Sequence, residues 1–230
     1  MKAVSREPVA IVDYGLGNLH NVRRACDTVG LATKITSSPE EVRESAAAIL
    51  PGVGAFGDAI STLTASGLGQ ALRELADDGR PLFGICLGFQ LMMTESSEFG
   101  HHRGLDIIPG TVTRLDNPRD DHGRLKVPHV GWNRVWKTNP DWSKNSRSET
   151  LLDTVADGEY MYFVHSFIVV PAQANTIVST TRYGDIEFCS SARHGNAFGC
   201  QYHPERSGVQ GLKMYAQLAS NIEQLARSTQ

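Results

Sequence analysis

Pro81-Leu82-Phe83-Gly84-Ile85-Cys86-Leu87-Gly88-Phe89-Gln90-Leu91-Met92-Met93 is the stretch that decides the fold. Pro81 to Ile85 is a short apolar run and reads as a buried strand; Phe89 to Met93 reads as a helix. Between them Cys86 stands with Gly84 and Gly88 two positions to either side, the G-x-nucleophile-x-G elbow with cysteine in the serine position. A nucleophile on so sharp a strand-to-helix turn holds a strained backbone, and side chains at the flanking positions would collide with neighbouring strands. The turn also aims the sulfur at a helix N-terminus, where unpaired amides stabilise a thiolate. A buried cysteine in a glycine-rich turn is the plainer alternative.

Outward from the elbow, the first half alternates strand and helix. Val9 to Asp13 reads as a strand. Asn18 then opens a helix with Leu19, Val22, Cys26 and Val29 on one face, and Gly30 stops it. Ala32 to Thr36 is a second strand. Ser38-Pro39-Glu40-Glu41 opens the next helix, with a capping serine, proline at the first helical position and Glu41 placed to complete a capping box. Ala46 to Leu50 is a third strand, ended by Pro51-Gly52. One long helical pattern then runs through Ile60, Leu63, Leu68, Leu72 and Leu75 to Gly79. Such β-α-β repetition predicts an α/β fold, a parallel sheet with helices on both faces.

From Gly104 short strands follow without helices between them: near Ile107 to Leu115, Val130 to Lys137, Tyr160 to Val164, Thr176 to Tyr183 and Ala197 to Tyr202. Asp116 to Lys126 and Lys137 to Glu149 read as surface loops. A last amphipathic helix carries Val209, Leu212, Tyr215, Leu218, Ile222 and Leu225. No linker or repeat divides the chain, so one domain over residues 1–230 with an antiparallel extension is expected.

The 230 residues carry a net charge of −3 and are 40% hydrophobic, which excludes disorder and offers no phosphate-neutralising surface for a nucleic acid. The uncharged stretch Ala46 to Gly57 is too short to span a bilayer and is broken by Pro51. The short apolar run before Asp13 cannot serve as a signal-peptide core, so a cytoplasmic protein is expected. Cys26, Cys86, Cys189 and Cys200 form no CxxC pair and the histidines no metal-ligand spacing, so neither metal nor disulfide is indicated.

A cysteine nucleophile needs a base, and the base an orienting group. Gly199-Cys200-Gln201-Tyr202-His203-Pro204-Glu205 places His203 at a strand end, with Glu205 on the same side if the backbone stays extended. Gly52-Val53-Gly54-Ala55-Phe56-Gly57 formally matches a dinucleotide-binding GxGxxG. It follows the third strand rather than the first, behind a proline, so the better reading is a strand end whose amides face the nucleophile as an oxyanion hole.

These motifs resemble those of class I (triad) glutamine amidotransferases: PGVG at Pro51 to Gly54, GICLGFQ at Gly84 to Gln90 and YHPE at Tyr202 to Glu205. IVDYGLGNLHNVRRA at Ile11 to Ala25, VPHVGWN at Val127 to Asn133 and YFVHSF at Tyr162 to Phe167 resemble the glutaminase subunits of imidazole glycerol phosphate synthases. The resemblance implies a flavodoxin-like fold with a central, mostly parallel sheet flanked by helices and a small antiparallel extension. It implies a Cys86-His203-Glu205 triad that hydrolyses L-glutamine through a thioester, and an oxyanion hole from the Leu87 amide and the Val53 or Gly54 amide. Gly52, Gln90, Glu98 and the backbone at His165 and Ser166 would hold glutamine. A (β/α)8 cyclase subunit would be the heterodimer partner, taking ammonia to make imidazole glycerol phosphate and AICAR in histidine biosynthesis. Asn18, Trp132, Tyr162 and Arg206 would meet it. No cofactor, metal, nucleic acid or membrane is implied. Phe167 stands where tyrosine is frequent, and Arg206 where lysine is usual.

Plainer readings stand beside these: a helix cap for Asn18, strand packing for Trp132 and Tyr162, a solvated first-turn residue for Gln90, and Glu95 in place of Glu98. The competing functions are the glutaminase subunit of pyridoxal phosphate synthase, a stand-alone cysteine hydrolase and a catalytically dead docking module.

Overall fold

The computed structural model describes residues 8–138 and 150–228. The first half of the chain contains β1 (Val9–Val12), α1 (Leu19–Thr28), β2 (Thr33–Thr36), α2 (Pro39–Glu44), β3 (Ala48–Gly52), α3 (Phe56–Ala65), α4 (Leu68–Asp77), β4 (Leu82–Cys86) and α5 (Leu87–Leu91). The second half adds β5 (Glu95–Ser96), β6 (His102–Arg103), β7 (Gly110–Arg114), β8 (Arg119–Asp120), β9 (Gly123–Arg124), β10 (His129–Lys137), β11 (Glu159–His165), β12 (Phe167–Pro171), β13 (Ile177–Tyr183), β14 (Ile186–His194), β15 (Ala197–Cys200) and α6 (Gly208–Ser228).

The order β2-β1-β3-β4-β15 forms a parallel unit, with the elbow strand β4 between β3 and β15. Strands β1, β3, β4 and β15 are buried on both faces, whereas the edge strand β2 is partly exposed, and side-chain alternation divides the buried positions between two cores. Ala10, Val12, Ala48 and Leu50 pack with Val42, Leu63 and Leu72 of α2 to α4, while Val9, Ile11, Ile49 and Phe83 pack with Cys26 of α1 and Tyr215 of α6. Beyond β15 the sheet continues antiparallel through β14, β12 and β7, and β13, β10 and β11 branch from β14.

Local departures from the sequence expectation have physical reasons. The third strand lies two residues later than expected and contains Pro51. β1 pairs with it only as far as Ile49, so the missing proline N–H costs no bond on that side. The single long helix is two, α3 and α4, broken where Gly67 adopts φ +76°. The five-residue step from Leu63 to Leu68 is itself out of helical register. Ser38 caps α2 by accepting from the Glu41 amide at 3.3 Å, but the Glu41 carboxylate goes to Lys34 at 2.8 Å, so the capping box is half formed. Asn18 makes no side-chain cap to α1. Val209 in the first turn of α6 is 71% exposed, outside the expected stripe. Strands β12 and β14 are additional to those expected, and a small β8–β9 hairpin occupies the first polar loop. Most of the second polar loop, residues 139–149, lies outside the described residues, as do the first seven. Among the described residues no helix is long and apolar enough to cross a membrane.

Candidate active site

β4 passes into α5 with no intervening loop, and Cys86 takes the turn at φ 55°, ψ −110°. A left-handed φ at a non-glycine residue costs about 1–3 kcal/mol and persists only where the surroundings impose it. They do so here. A Cβ at Gly88 would run into the Leu50 carbonyl oxygen, and one at Gly84 into the Met92 sulfur. The glycines let α5 press against β3 and β4 while the cysteine is held at the tip.

Cys86 lines a cavity of about 310 Å³ together with Val53, Gly54, Leu87, Gln90, Glu98, His165 and Ser166. Pro128, Val164 and Phe167 complete the wall; the sequence named none of them as a site residue, marking Phe167 only as standing where tyrosine is frequent. Gly52 lies behind this wall, where a Cβ would meet the Tyr14 hydroxyl. Tyr14 in turn donates to the Pro51 carbonyl at 3.0 Å and fixes the end of β3. Gly54 has φ +106° and open space where a side chain would be, so freedom of the backbone resides at Gly54 rather than Gly52. Glu98 is the cavity carboxylate: its Oε2 accepts from the Phe56 amide at the start of α3 at 2.8 Å, and burial raises its pKa. Glu95 instead pairs with the exposed His101.

His203 follows β15 and is buried with Glu205. The backbone does not stay extended. Pro204 starts a 3₁₀ turn over Pro204–Arg206, which folds Glu205 Oε1 back to 2.8 Å from His203 Nδ1. Nε2 makes no hydrogen bond of ordinary geometry, but the Cys86 sulfur lies close enough to act on the ring. Burial opposes a charge there, yet the Cys86 sulfur and the Glu205 carboxylate outweigh it and raise the imidazole to about 10. The backbone of His203 is stitched to β11: its amide donates to the Tyr162 carbonyl at 2.8 Å, and Ser207 Oγ bridges the Tyr162 amide and the His203 carbonyl.

On the outer side of that stitch, Trp132 and Tyr162 stand edge to face with centroids 6.0 Å apart, and the Arg206 guanidinium lies 4.3 Å from the centre of the Tyr162 ring. Trp132 is 55% exposed and Tyr162 half-buried, and the two are direct cross-strand partners on β10 and β11. Asn18 is half-buried at the mouth of α1.

A buried histidine pair braces the same strands. His129 Nδ1 lies 3.0 Å from His165 Nε2, and His165 Nδ1 lies 3.0 Å from the Phe167 carbonyl. Since the carbonyl can only accept, His165 carries its proton on Nδ1 and accepts from His129. Burial lowers His129 to about 4 and His165 to about 3. The unfolded chain therefore takes up protons below pH ~6.5 that the folded chain refuses, so stability is lost as pH falls from there, by up to about 1.4 kcal/mol per pH unit for each ring. Urea unfolding should show a lower midpoint at pH 5 than at pH 7, with a shallower loss in His129→Asn; identical pH slopes in the two chains would refute this source.

A family match decides the kinship. Residues 10–219 match the family Glutamine amidotransferase class-I. The chain belongs to the class I glutamine amidotransferases. This amidotransferase is 44% identical over 207 residues, 90% of its own length and 91% of the other's, to imidazole glycerol phosphate synthase subunit HisH of Moorella thermoacetica. It is 41% identical over 207 residues, 90% and 96% of the two chains, to the HisH subunit of Syntrophotalea carbinolica. Its fold is similar to that of PurLQS from Thermotoga maritima, with a TM-score of 0.67 at 17% identity over 96% of this chain and 99% of that one. The α/β architecture inferred from the strand-helix alternation is thus that of the family.

Proposed function

We propose that this amidotransferase is the glutaminase subunit of an imidazole glycerol phosphate synthase, a single-domain cytoplasmic protein acting as a heterodimer with a (β/α)8 cyclase subunit in histidine biosynthesis. The observation that carries the chemistry is the buried His203–Glu205 pair beside the strained Cys86 elbow, at the edge of a cavity of about 310 Å³. The names of the HisH relatives, matched over nine-tenths of both chains, support the choice of synthase.

In this reading the Cys86 sulfur gives its proton to His203 and attacks the side-chain carbonyl carbon of L-glutamine. The oxyanion takes hydrogen bonds from the Leu87 amide and from the Val53 or Gly54 amide. Collapse breaks the C–N bond; His203 returns the proton to the leaving nitrogen, which departs as ammonia. Water, deprotonated by His203, then opens the thioester to glutamate and restores the thiol. Glu205 holds Nδ1 throughout and stabilises the imidazolium. Glu98, the Gln90 oxygen and the backbone at His165 and Ser166 bind the amino-acid end, with Gly52 packing behind them. Trp132, Tyr162, Arg206 and Asn18 face the cyclase, to which the ammonia passes.

The test is glutamine hydrolysis by the purified chain, alone and with a cyclase subunit and its nucleotide ligand. Faster hydrolysis in the complex is expected; peptide hydrolysis without glutamine hydrolysis would overturn the assignment. A further expectation concerns the Val53 amide at this strand end. The resting strand turns a carbonyl to the oxyanion position, and docking turns an amide there. Val53→Pro removes one donor and should leave glutamine binding intact while stimulated hydrolysis falls by about 10²–10³-fold. Wild-type stimulation in the folded complex would rule out the Val53 amide.

A further inference from the structure

β15 ends at Cys200, and the next residue, Gln201, turns a fully buried carboxamide toward the Cys86 sulfur. Which end of the carboxamide faces the sulfur follows from a chain of hydrogen bonds with one consistent direction. It starts at the Phe167 carbonyl, which can only accept. Gln90 approaches that oxygen at 3.1 Å, so the atom there is the Gln90 amide nitrogen. The same nitrogen lies 3.0 Å from Gln201, so the end of Gln201 that meets it is the oxygen. The Gln201 nitrogen is left facing Cys86 Sγ at 3.7 Å.

On its other side the sulfur lies 3.8 Å from the Val164 carbonyl. A thiol can donate its proton there. Once the proton has gone, that carbonyl repels the sulfur, whereas the Gln201 N–H attracts it. Gln90 meanwhile spends both amide protons on the chain, leaving its oxygen for a ligand in the cavity.

We propose that Gln201 is a catalytic residue: its amide donates to the Cys86 sulfur, holds it for attack and favours its ionised form, with Gln90 and the Phe167 carbonyl fixing the direction of the donor. This rests on Cys86 being the nucleophile. Two replacements separate the donor from mere packing. Gln201→Glu keeps an acceptor for Gln90 but puts an oxygen where the donor was; Gln201→Met removes both.

Alkylation of Cys86 by iodoacetamide near neutral pH, located by peptide mass spectrometry, should slow about tenfold in both variants. Glutaminase kcat of the Gln201→Glu complex should fall by a similar factor with KM little changed. A packing role predicts instead that Gln201→Met, similar in length and carrying no charge to repel the thiolate, alkylates at the wild-type rate, and that result overturns the proposal. If the variants fail to fold, the Gln201 side-chain amide protons can be followed by NMR in the wild-type chain and in Cys86→Ala. Loss of the sulfur should shift them upfield; unmoved resonances would overturn the donor role. Failure of the nucleophile assignment is distinguishable, because Cys86→Ala would then still hydrolyse glutamine.

Discussion

Cys86→Ala should abolish glutamine-dependent turnover of the complex, while turnover supplied with ammonia continues. In the proposed function only hydrolysis uses the sulfur, and cyclisation belongs to the partner. The other three cysteines are no substitutes. Cys26, Cys189 and Cys200 are buried, and burial pushes each thiol up, Cys26 to about 12. Steady-state assays with glutamine and with ammonium salts check both halves of the prediction. Retained glutaminase activity would remove Cys86 from the chemistry. Loss of both activities in a folded complex would mean that the division of labour is wrong.

His203→Ala should reduce glutamine hydrolysis by about 10²–10⁴-fold, the usual contribution of a general base, and Glu205→Gln by less. The difference follows from what each group touches. In the proposed reaction His203 moves the proton, whereas Glu205, 2.8 Å from Nδ1, supplies charge to the imidazolium. Glutamine keeps a hydrogen-bonding oxygen for that contact but loses the charge. Single-turnover measurement of thioester formation and breakdown would resolve the two. A harmless Glu205→Gln would reduce the carboxylate to a packing element, despite its burial beside the ring.

The elbow was legible in the sequence because its glycines are imposed by contact. The Leu50 carbonyl leaves no room for a side chain at Gly88, and the Met92 sulfur leaves none at Gly84. Apolar strands buried on both faces, such as β1 and β4, were equally plain. Strand β14 was not, because its centre carries Ser190 and Ser191. They look like surface residues until one sees them bonded to Ser179 on β13 at 2.9 and 2.5 Å. The histidine pair escaped for a different reason. His129 and His165 meet only through the antiparallel register of β10 and β11, which a separation of 36 positions does not announce. Gln201 sits within a motif read for its histidine, and nothing in its one-dimensional setting reveals that it is buried against sulfur. Glu205 reaches His203 through a turn rather than along the extended chain that was expected, because Pro204 starts a 3₁₀ turn.

The stitch between His203 and Tyr162 has a mechanical consequence. Strand β11 carries the outward aromatic at Tyr162, and four residues later the chain reaches Ser166 on the cavity wall. At ~3.3 Å per residue the arm is about 13 Å long. A tilt of about 5° pivoting at Tyr162 would swing its far end by about 1 Å, and misplacement on that scale can change a rate by about 10²-fold. The Trp132–Tyr162–Arg206 surface is therefore the short end of a lever whose long end reaches the cavity wall, with the backbone of His203 riveted at the fulcrum.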